Sequence, residues 1–139
     1  MSAPSIIIGL DPGKHTGISV YNHNTKKLVS CETVGICEAM VMIKGLISFA
    51  TPEVYFEDAR LRKWIPKTSG REVLQGAGSI KRDCSIWEEF FDLHKIKAFP
   101  IAPKDTKTKM NAQLFARLTG WTGRTSEHAR DAALLVWGR

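Results

Sequence analysis

Residues 5–20, SIIIGLDPGKHTGISV, decide the fold that this sequence predicts. Three consecutive isoleucines at positions 6–8 are β-branched, which favours a strand buried on both faces of a sheet. That strand ends at Asp11, because the Pro-Gly pair that follows is a turn signal. The β pattern resumes at residues 17–21, which predicts a tight hairpin. The stretch therefore fixes the Asp11 carboxylate at the end of a rigid central strand, a position suited to chemistry.

The composition is that of a globular protein. The chain has 139 residues, 43% hydrophobic and 24% charged, so we expect one soluble domain spanning residues 1–139. No apolar run reaches the roughly 18 residues of a membrane span, and no signal-peptide pattern opens the chain. We therefore expect a cytoplasmic protein that does not contact a membrane. An odd number of cysteines without CxxC spacing predicts buried free thiols at Cys31, Cys37 and Cys84.

Positive charge is concentrated after Asp58. The net charge is +6, and residues 59–109 alone carry twelve Lys and Arg against six Asp and Glu. A basic surface of this kind favours polyanions such as nucleic acids. A solvated basic surface without a partner is the other interpretation, and charge alone does not separate the two.

The apolar spacing predicts an α/β protein. Residues 28–33 read as a third strand after the hairpin, so the first three strands are expected to be short, adjacent and antiparallel. Residues 36–50 have helical spacing, and the strand at 54–56 runs into the acidic pair Glu57-Asp58, which adds an α/β layer. Four more elements are predicted: a helix over 71–93 loosened at Gly76 and Gly78, a strand over 97–101, a helix over 104–118 and a helix over 126–137 capped by Thr125 or Ser126.

The predicted helix over 71–93 has two apolar stripes, roughly 130° apart. One can cover the sheet, and the other favours a second copy of the chain, so a homodimer is one interpretation and a single broad buried face is the other. The stripes are Ile80, Cys84, Trp87 and Phe91 for the first, and Ile86, Phe90 and Leu93 for the second.

The last predicted helix combines small residues with two metal-ligand types. His128 and Asp131 are three residues apart and share a face, and neighbouring alanines allow the helix to lie close to a sheet. Buried charges are costly unless they are paired or metal-bound. The alternative is an exposed amphipathic helix in which Asp131 pairs with Arg130 or Lys109.

Taken together, these acids predict a metal centre. Asp11 ends the first strand, Glu57 ends the fourth, and His128 and Asp131 project from the last helix. Such groups repel one another unless a divalent cation neutralises them, and oxygen ligands select Mg²⁺ or Mn²⁺. Two ions can align a water and a leaving oxygen across a phosphodiester. With the basic middle segment, this pattern predicts a nuclease, although a strand cannot say whether Glu57 or Asp58 faces the site.

The motifs also resemble a known family, the RuvC-type Holliday-junction resolvases of the ribonuclease-H-like superfamily. The resemblance covers nearly the whole chain and implies a five-stranded mixed sheet flanked by helices, with three antiparallel strands followed by parallel ones. It further implies a homodimer that uses Mg²⁺ or Mn²⁺, two ions per site, to cut four-way DNA junctions or other branched DNA. The motifs are IIIGLDPG at 6–13 with Gly17, VYFED at 54–58, AGSI at 77–80, IAPKDTK at 101–107 and EHARDAALL at 127–135.

By this resemblance, Asp11 is the first catalytic carboxylate, Glu57 the second and Asp131 the last. His128 falls where family members have either Asp or His, and all four are the implied metal ligands. Lys107 and Lys109 resemble the two basic residues near the scissile phosphate. Nucleic-acid contacts are expected from Lys14, Arg60, Arg62, Lys63, Trp64, Lys67, Arg71 and Lys104, where Trp64 stacks on an exposed base or simply anchors its loop.

Three other functions remain open from the sequence. A ribonuclease-H-like enzyme acting on structured or precursor ribosomal RNA has a similar length. The outline DPGKHTG at residues 11–17 also fits the phosphate loop of sugar-kinase-like ATPases, although the chain is too short for their two-lobed cleft. A nuclease-derived DNA-binding module is the non-enzymatic alternative.

Overall fold

The computed structural model describes residues 5–62 and 70–139 and contains one five-stranded sheet of order β3-β2-β1-β4-β5. The predicted residues Lys63, Trp64 and Lys67 lie outside the described part. The strands are β1 (Ile6–Asp11), β2 (His15–Asn22), β3 (Lys27–Gly35), β4 (Glu53–Glu57) and β5 (Lys97–Ile101). The helices are α1 (Ile36–Ile47), α2 (Arg71–Leu93), α3 (Ala112–Thr119) and α4 (Glu127–Val136), with 3₁₀ turns at Ala59–Leu61 and Pro103–Asp105.

The sheet is mixed, as the family resemblance implies. β1 pairs antiparallel with β2, and β2 pairs antiparallel with β3. On its other side β1 runs parallel to β4, with Leu10 opposite Phe56, and β4 runs parallel to β5. The carboxyl ends of parallel strands meet at one edge of a sheet, so Asp11 and Glu57, each the last residue of its strand, lie side by side.

Helices cover both faces of this sheet. On one face, α1 and α2 pack against the strands, and Trp87 of α2 is fully buried with Leu10 and Phe56. On the other face α4 packs against β1, β2 and β3 through residues such as Leu135 and Val136. The central strands are therefore buried on both sides, which explains their continuous apolar sequence.

Two glycines let α4 lie directly on the sheet. A Cβ at Gly9 would overlap the carbonyl oxygen of Ala132, and a Cβ at Gly17 would overlap that of His128. Because glycine has no Cβ, the backbone of α4 can pack directly against both strands at these positions. This contact brings His128 and the end of β1 together.

The prediction of a helix over residues 104–118 is wrong in its first half. Pro103–Asp105 forms a 3₁₀ turn, where the hydroxyl of Thr106 donates to the Pro103 carbonyl. The helix begins only at Ala112, because the side chain of Asn111 accepts a hydrogen bond from the backbone of Leu114. Local side-chain bonds thus compete successfully with the helix.

The helix cap is confirmed: the side chain of Ser126 caps α4 by accepting a hydrogen bond from the backbone of Ala129.

Burial confirms two of the three expected buried thiols. Cys31 and Cys84 are buried free thiols as expected, whereas the free thiol of Cys37 is exposed because its side of α1 faces solvent.

Both apolar stripes of α2 are partly exposed. In the first stripe, Cys84, Trp87 and Phe91 are buried, and Ile80 is 40% exposed. In the second stripe, Phe90 is buried, whereas Ile86 is 41% exposed and Leu93 is 73% exposed.

No helix in residues 5–62 or 70–139 is long and apolar enough to cross a membrane.

Candidate active site

Four side chains from three separate elements line one cleft at the carboxyl edge of the sheet. Asp11 ends β1, Glu57 ends β4, and His128 and Asp131 lie one turn apart on α4. The cleft has a volume of about 460 Å³. Its opposite wall is α2, which contributes small residues near Gly76 and Ala77. The structure therefore places the four predicted ligands around a single cavity.

Asp11 and His128 are in direct contact. The Nδ1 atom of His128 lies 3.1 Å from Oδ2 of Asp11, and the Asp11 side chain is only 15% exposed. Burial raises the pKa of Asp11, and the negative charge of Asp131 adds to this, while the hydrogen bond from His128 acts against it. Asp11 is thus a desolvated carboxylate that a positive charge would stabilise.

Glu57 is in a similar position. Burial raises its pKa first, and the charges of Asp11 and Asp131 raise it further. Neighbouring negative charges therefore disfavour the ionised forms of both Asp11 and Glu57. A cation that enters the cleft would therefore stabilise the ionised carboxylates.

Lys109 is a cation already present in the cleft. Its Nζ atom lies 3.3 Å from Oδ2 of Asp131 and 3.2 Å from Oε1 of Glu127. Burial lowers the pKa of Lys109, but both carboxylates raise it and the net direction is upward. The Asp131–Lys109 pair is the one expected if α4 were an exposed end helix. That alternative is nevertheless wrong about exposure, because Ala129, Ala132 and residues 133–136 are buried.

The donor chemistry fits a divalent cation, although the side chains are not gathered around one point. Within residues 5–62 and 70–139, no three His, Cys, Asp or Glu side chains stand close enough together to hold a metal ion. His128 is turned to Asp11, and Asp131 is turned to Lys109. The carboxylate oxygens suit Mg²⁺ or Mn²⁺, and Asp131 could join such a site only by leaving its ammonium partner, Lys109.

The two predicted lysines occupy different positions. Lys107 donates to the carbonyl oxygen of Trp137 and lines a small recess beside Glu57 and Asp131. Burial and the nearby charge of Arg139 lower its pKa. Lys109 faces the acids directly, so it is the better placed of the two to meet a negative charge in the cleft.

The two adjacent acids at the end of β4, Glu57 and Asp58, have different surroundings. Glu57 lines the cleft, whereas Asp58 is 2% exposed and its carboxylate is bound by Arg60. Burial favours the neutral form of Asp58, yet the hydrogen bonds from Arg60 hold its pKa below the usual value. The structure thereby separates two residues that the strand pattern leaves equivalent.

Of the predicted nucleic-acid contacts that fall within the described residues, two line the cleft. Lys14 and Arg62 are exposed and line the cleft. Arg71, at the start of α2, and Lys104, in the second 3₁₀ turn, are exposed beyond that lining. Arg60 is directed to Asp58 and Glu88.

Two further cleft residues were missed by sequence reasoning. His15 follows the Pro-Gly turn, and Lys81 lies one turn beyond Ala77 on the α2 face that walls the cleft. The i, i+4 spacing from the small residues of α2 is a usable signal for Lys81. His15 has none, because its direction depends on the hairpin turn.

A solved structure shares this fold. T. thermophilus RuvC in complex with a Holliday junction substrate matches with a TM-score of 0.62 and 14% sequence identity, covering 95% of this chain and 90% of that chain. No family model and no curated protein matches the chain. An identity this low shows the fold alone, and it confirms the predicted ribonuclease-H-like architecture with three antiparallel strands followed by parallel ones.

Proposed function

We propose that the protein is a metal-dependent endonuclease that cleaves four-way junctions or other branched DNA by phosphodiester hydrolysis. The observation that carries this proposal is the convergence of Asp11, Glu57, His128 and Asp131 on one cleft of a ribonuclease-H-like sheet. The similarity to a RuvC structure bound to a junction supports the choice of branched DNA. The proposal includes a cytoplasmic location.

In this function Asp11, Glu57 and Asp131 would hold two Mg²⁺ or Mn²⁺ ions, with His128 as a further ligand or as the group that orients the attacking water. Such ions would supply activation of the water and charge stabilisation at the leaving oxygen. Asp11 contacts His128, and its charge acts on Glu57, so we assign it as the central acid of the set. The metal positions themselves are part of the proposal.

Basic residues complete the site. Lys109, freed from Asp131 when the acids bind cations, would offset the charge that develops on the phosphate, because fixed donors aimed at developing charge contribute much of catalysis. Lys107 lines the adjoining recess, and we assign it a secondary role in offsetting the same negative charge. Lys14 and Arg62 would contact backbone phosphates at the mouth, with Arg71 and Lys104 farther out; Lys63, Trp64 and Lys67 belong to the same proposal from the sequence.

The test is cleavage of labelled substrates in Mg²⁺, Mn²⁺ or EDTA. We expect metal-dependent nicking of a four-way junction, with weaker action on a linear duplex and on a structured RNA. Asp11→Asn should abolish cleavage and leave junction binding intact, because it removes a proposed metal ligand and retains the basic surface. Asp92→Asn, an exposed acid on α2, is the matched control.

Each outcome separates the candidates. Preferential cutting of the RNA would favour the precursor-RNA nuclease. Junction binding without cutting in any metal would favour the DNA-binding module. Full activity of Asp11→Asn would remove the assignment of this residue.

We also propose that the protein acts as a homodimer through α2. Ile86 and Leu93, two of the three residues of the second apolar stripe, are exposed on this helix, while the third, Phe90, is buried in the core of the same chain. Light scattering should give twice the chain mass of 15.5 kDa, and Leu93→Lys should shift it to the monomer. Leu114→Lys, at an exposed leucine of α3, should leave it unchanged.

A further inference from the structure

Arg60 joins the turn after β4 to helix α2. Its Nε atom donates to Oδ1 of Asp58 at 2.9 Å, and its Nη2 atom donates to Oδ2 of Asp58 at 2.7 Å. The same Nη2 donates to Oε2 of Glu88, on α2, at 2.8 Å. One guanidinium therefore ties two carboxylates from different elements, a fork geometry that lysine lacks.

Asp58 is a structural centre of this turn. Its Oδ1 also accepts the backbone N–H of Arg60 at 3.0 Å, which caps the 3₁₀ turn Ala59–Leu61. Its own backbone N–H donates to the carbonyl of Ile101 in β5 at 2.8 Å. A carboxylate that is 2% exposed needs such partners, because an unpaired buried charge is costly.

Glu57 is held between these contacts. The carbonyl oxygen of Glu57 accepts the thiol of Cys84, on α2, at 3.8 Å, and the next residue is the bound Asp58. Helix α2 also carries the cleft wall from Gly76 to Lys81. The Arg60 link therefore connects the backbone that carries Glu57 to the helix that forms the opposite wall.

From this geometry we propose that Arg60 is a positioning residue, which acts through Asp58 and Glu88 to hold Glu57 toward the other acids of the cleft. This role replaces the direct DNA contact expected from the sequence, because the donors of Arg60 serve Asp58 and Glu88. It also gives the two adjacent acids different roles: Glu57 faces the cleft, and Asp58, bound by Arg60, fixes the backbone next to Glu57. The proposal rests on the proposed function, since it deepens the account of the same site.

The first measurement is the affinity for Mn²⁺ by calorimetry. Residues behind metal ligands change affinity by about 10- to 100-fold when they are mutated. We expect Arg60→Ala to weaken Mn²⁺ binding by about tenfold and Glu88→Gln, at a half-exposed position, by a few-fold. Arg60→Lys should recover only part of the loss, because an ammonium lacks the fork.

The second measurement needs no metal. Hydrogen exchange of the Asp58 amide, followed by NMR, reports whether the turn stays paired with β5. We expect faster exchange in Arg60→Ala and in Glu88→Gln. If Arg60→Ala does not fold, Glu88→Gln decides the result.

Two control variants separate positioning from general stability. Glu89→Gln changes the neighbouring exposed acid of α2, and it should match the wild type in both measurements. Ile43→Val removes a buried methyl group from α1 and so lowers general stability, and it should leave Mn²⁺ affinity unchanged.

The outcomes are distinguishable. Wild-type Mn²⁺ affinity and wild-type Asp58 exchange in both Arg60→Ala and Glu88→Gln would overturn the positioning role. A wild-type protein that binds no Mn²⁺ would overturn the proposed function, and the amide exchange would then decide the positioning role alone. An equal loss of affinity in Ile43→Val would show an effect of stability and would also overturn it.

Discussion

The two walls of the cleft are built by different forces. The α4 wall rests on backbone contact, because Gly9 and Gly17 let the helix lie against β1 and β2. The α2 side is tied to the end of β4 by the ion pairs of Arg60 and the thiol of Cys84. Close packing leaves little freedom, whereas ion pairs respond to salt and to single charge changes. We therefore expect the first wall to tolerate less change in side-chain volume, and the second to be adjustable by charge.

The largest effect should follow a change in the α4 wall. Gly17→Ala would push its Cβ into the carbonyl of His128, so the helix must move or the strand must bend. We expect a loss of about 3 kcal/mol or more in unfolding free energy and a loss of cleavage. Urea unfolding followed by circular dichroism measures the first, and the junction assay measures the second.

The matched control is a glycine with open space around it. A Cβ at Gly45 in α1 meets nothing within 4 Å, so Gly45→Ala should stabilise the protein by about 0.5–1 kcal/mol through helix propensity. Similar stability in Gly17→Ala and Gly45→Ala would contradict the close packing of α4.

The second effect concerns charge within the cleft. The pKa of Glu57 is raised by burial and by neighbouring carboxylates above its ordinary 4.5. Its favourable contribution to stability is therefore complete below about pH 4.5 and is lost as the pH rises through the folded-state value. Glu57→Gln should raise the melting temperature in EDTA at pH 7 by about 2 °C and flatten this part of the pH profile.

Adding Mn²⁺ should reverse the order of the melting temperatures of the wild type and Glu57→Gln. Mn²⁺ should stabilise the wild type by mass action and Glu57→Gln by much less, since binding should weaken by about tenfold or more. The measurement is the melting temperature in a Mn²⁺ titration. Equal Mn²⁺ shifts in the two proteins would count against Glu57 as a ligand.

The third effect is smaller and comes from Lys109. Its ammonium competes with a metal for Asp131, so Lys109→Gln should tighten Mn²⁺ binding by about threefold. Cleavage should nevertheless slow, because the same charge is proposed to assist the phosphate. Calorimetry and the junction assay separate the two effects, and weaker Mn²⁺ binding in Lys109→Gln would refute the competition.

The same contrast explains how far sequence reasoning reaches. The strand at residues 6–8 and the three-residue spacing of His128 and Asp131 are local patterns, and from them the buried first strand and the candidate acids could be predicted, whereas the mixed sheet was predicted from the family resemblance. The choice between Glu57 and Asp58 is not local, because it depends on an arginine that bonds across to α2. The helix over 104–118 was wrong for a related reason, since side-chain bonds of Thr106 and Asn111 outweigh apolar spacing.

The smallest effect uses the two buried thiols as reporters of the two walls. Cys31 donates to the carbonyl of Ala129 beneath α4, and Cys84 donates to that of Glu57 beside α2. Burial raises the pKa of Cys31 to about 12 and that of Cys84 to about 11, so neither thiol reacts readily in the folded state. Labelling therefore requires local opening, and each rate reports the stability of its own wall.

Salt should separate these two rates. In a Cys37→Ser background, which removes the exposed thiol, about 1 M NaCl should accelerate labelling of Cys84 a few-fold by screening the partly exposed pair of Arg60 with Glu88. Labelling of Cys31 should hold steady or slow, because packing is not screened and salt favours apolar burial. Mass spectrometry of labelled peptides gives both rates from one sample. An equal change at both thiols would mean that the walls open together, and the ion pairs would then have no separate part in holding Glu57.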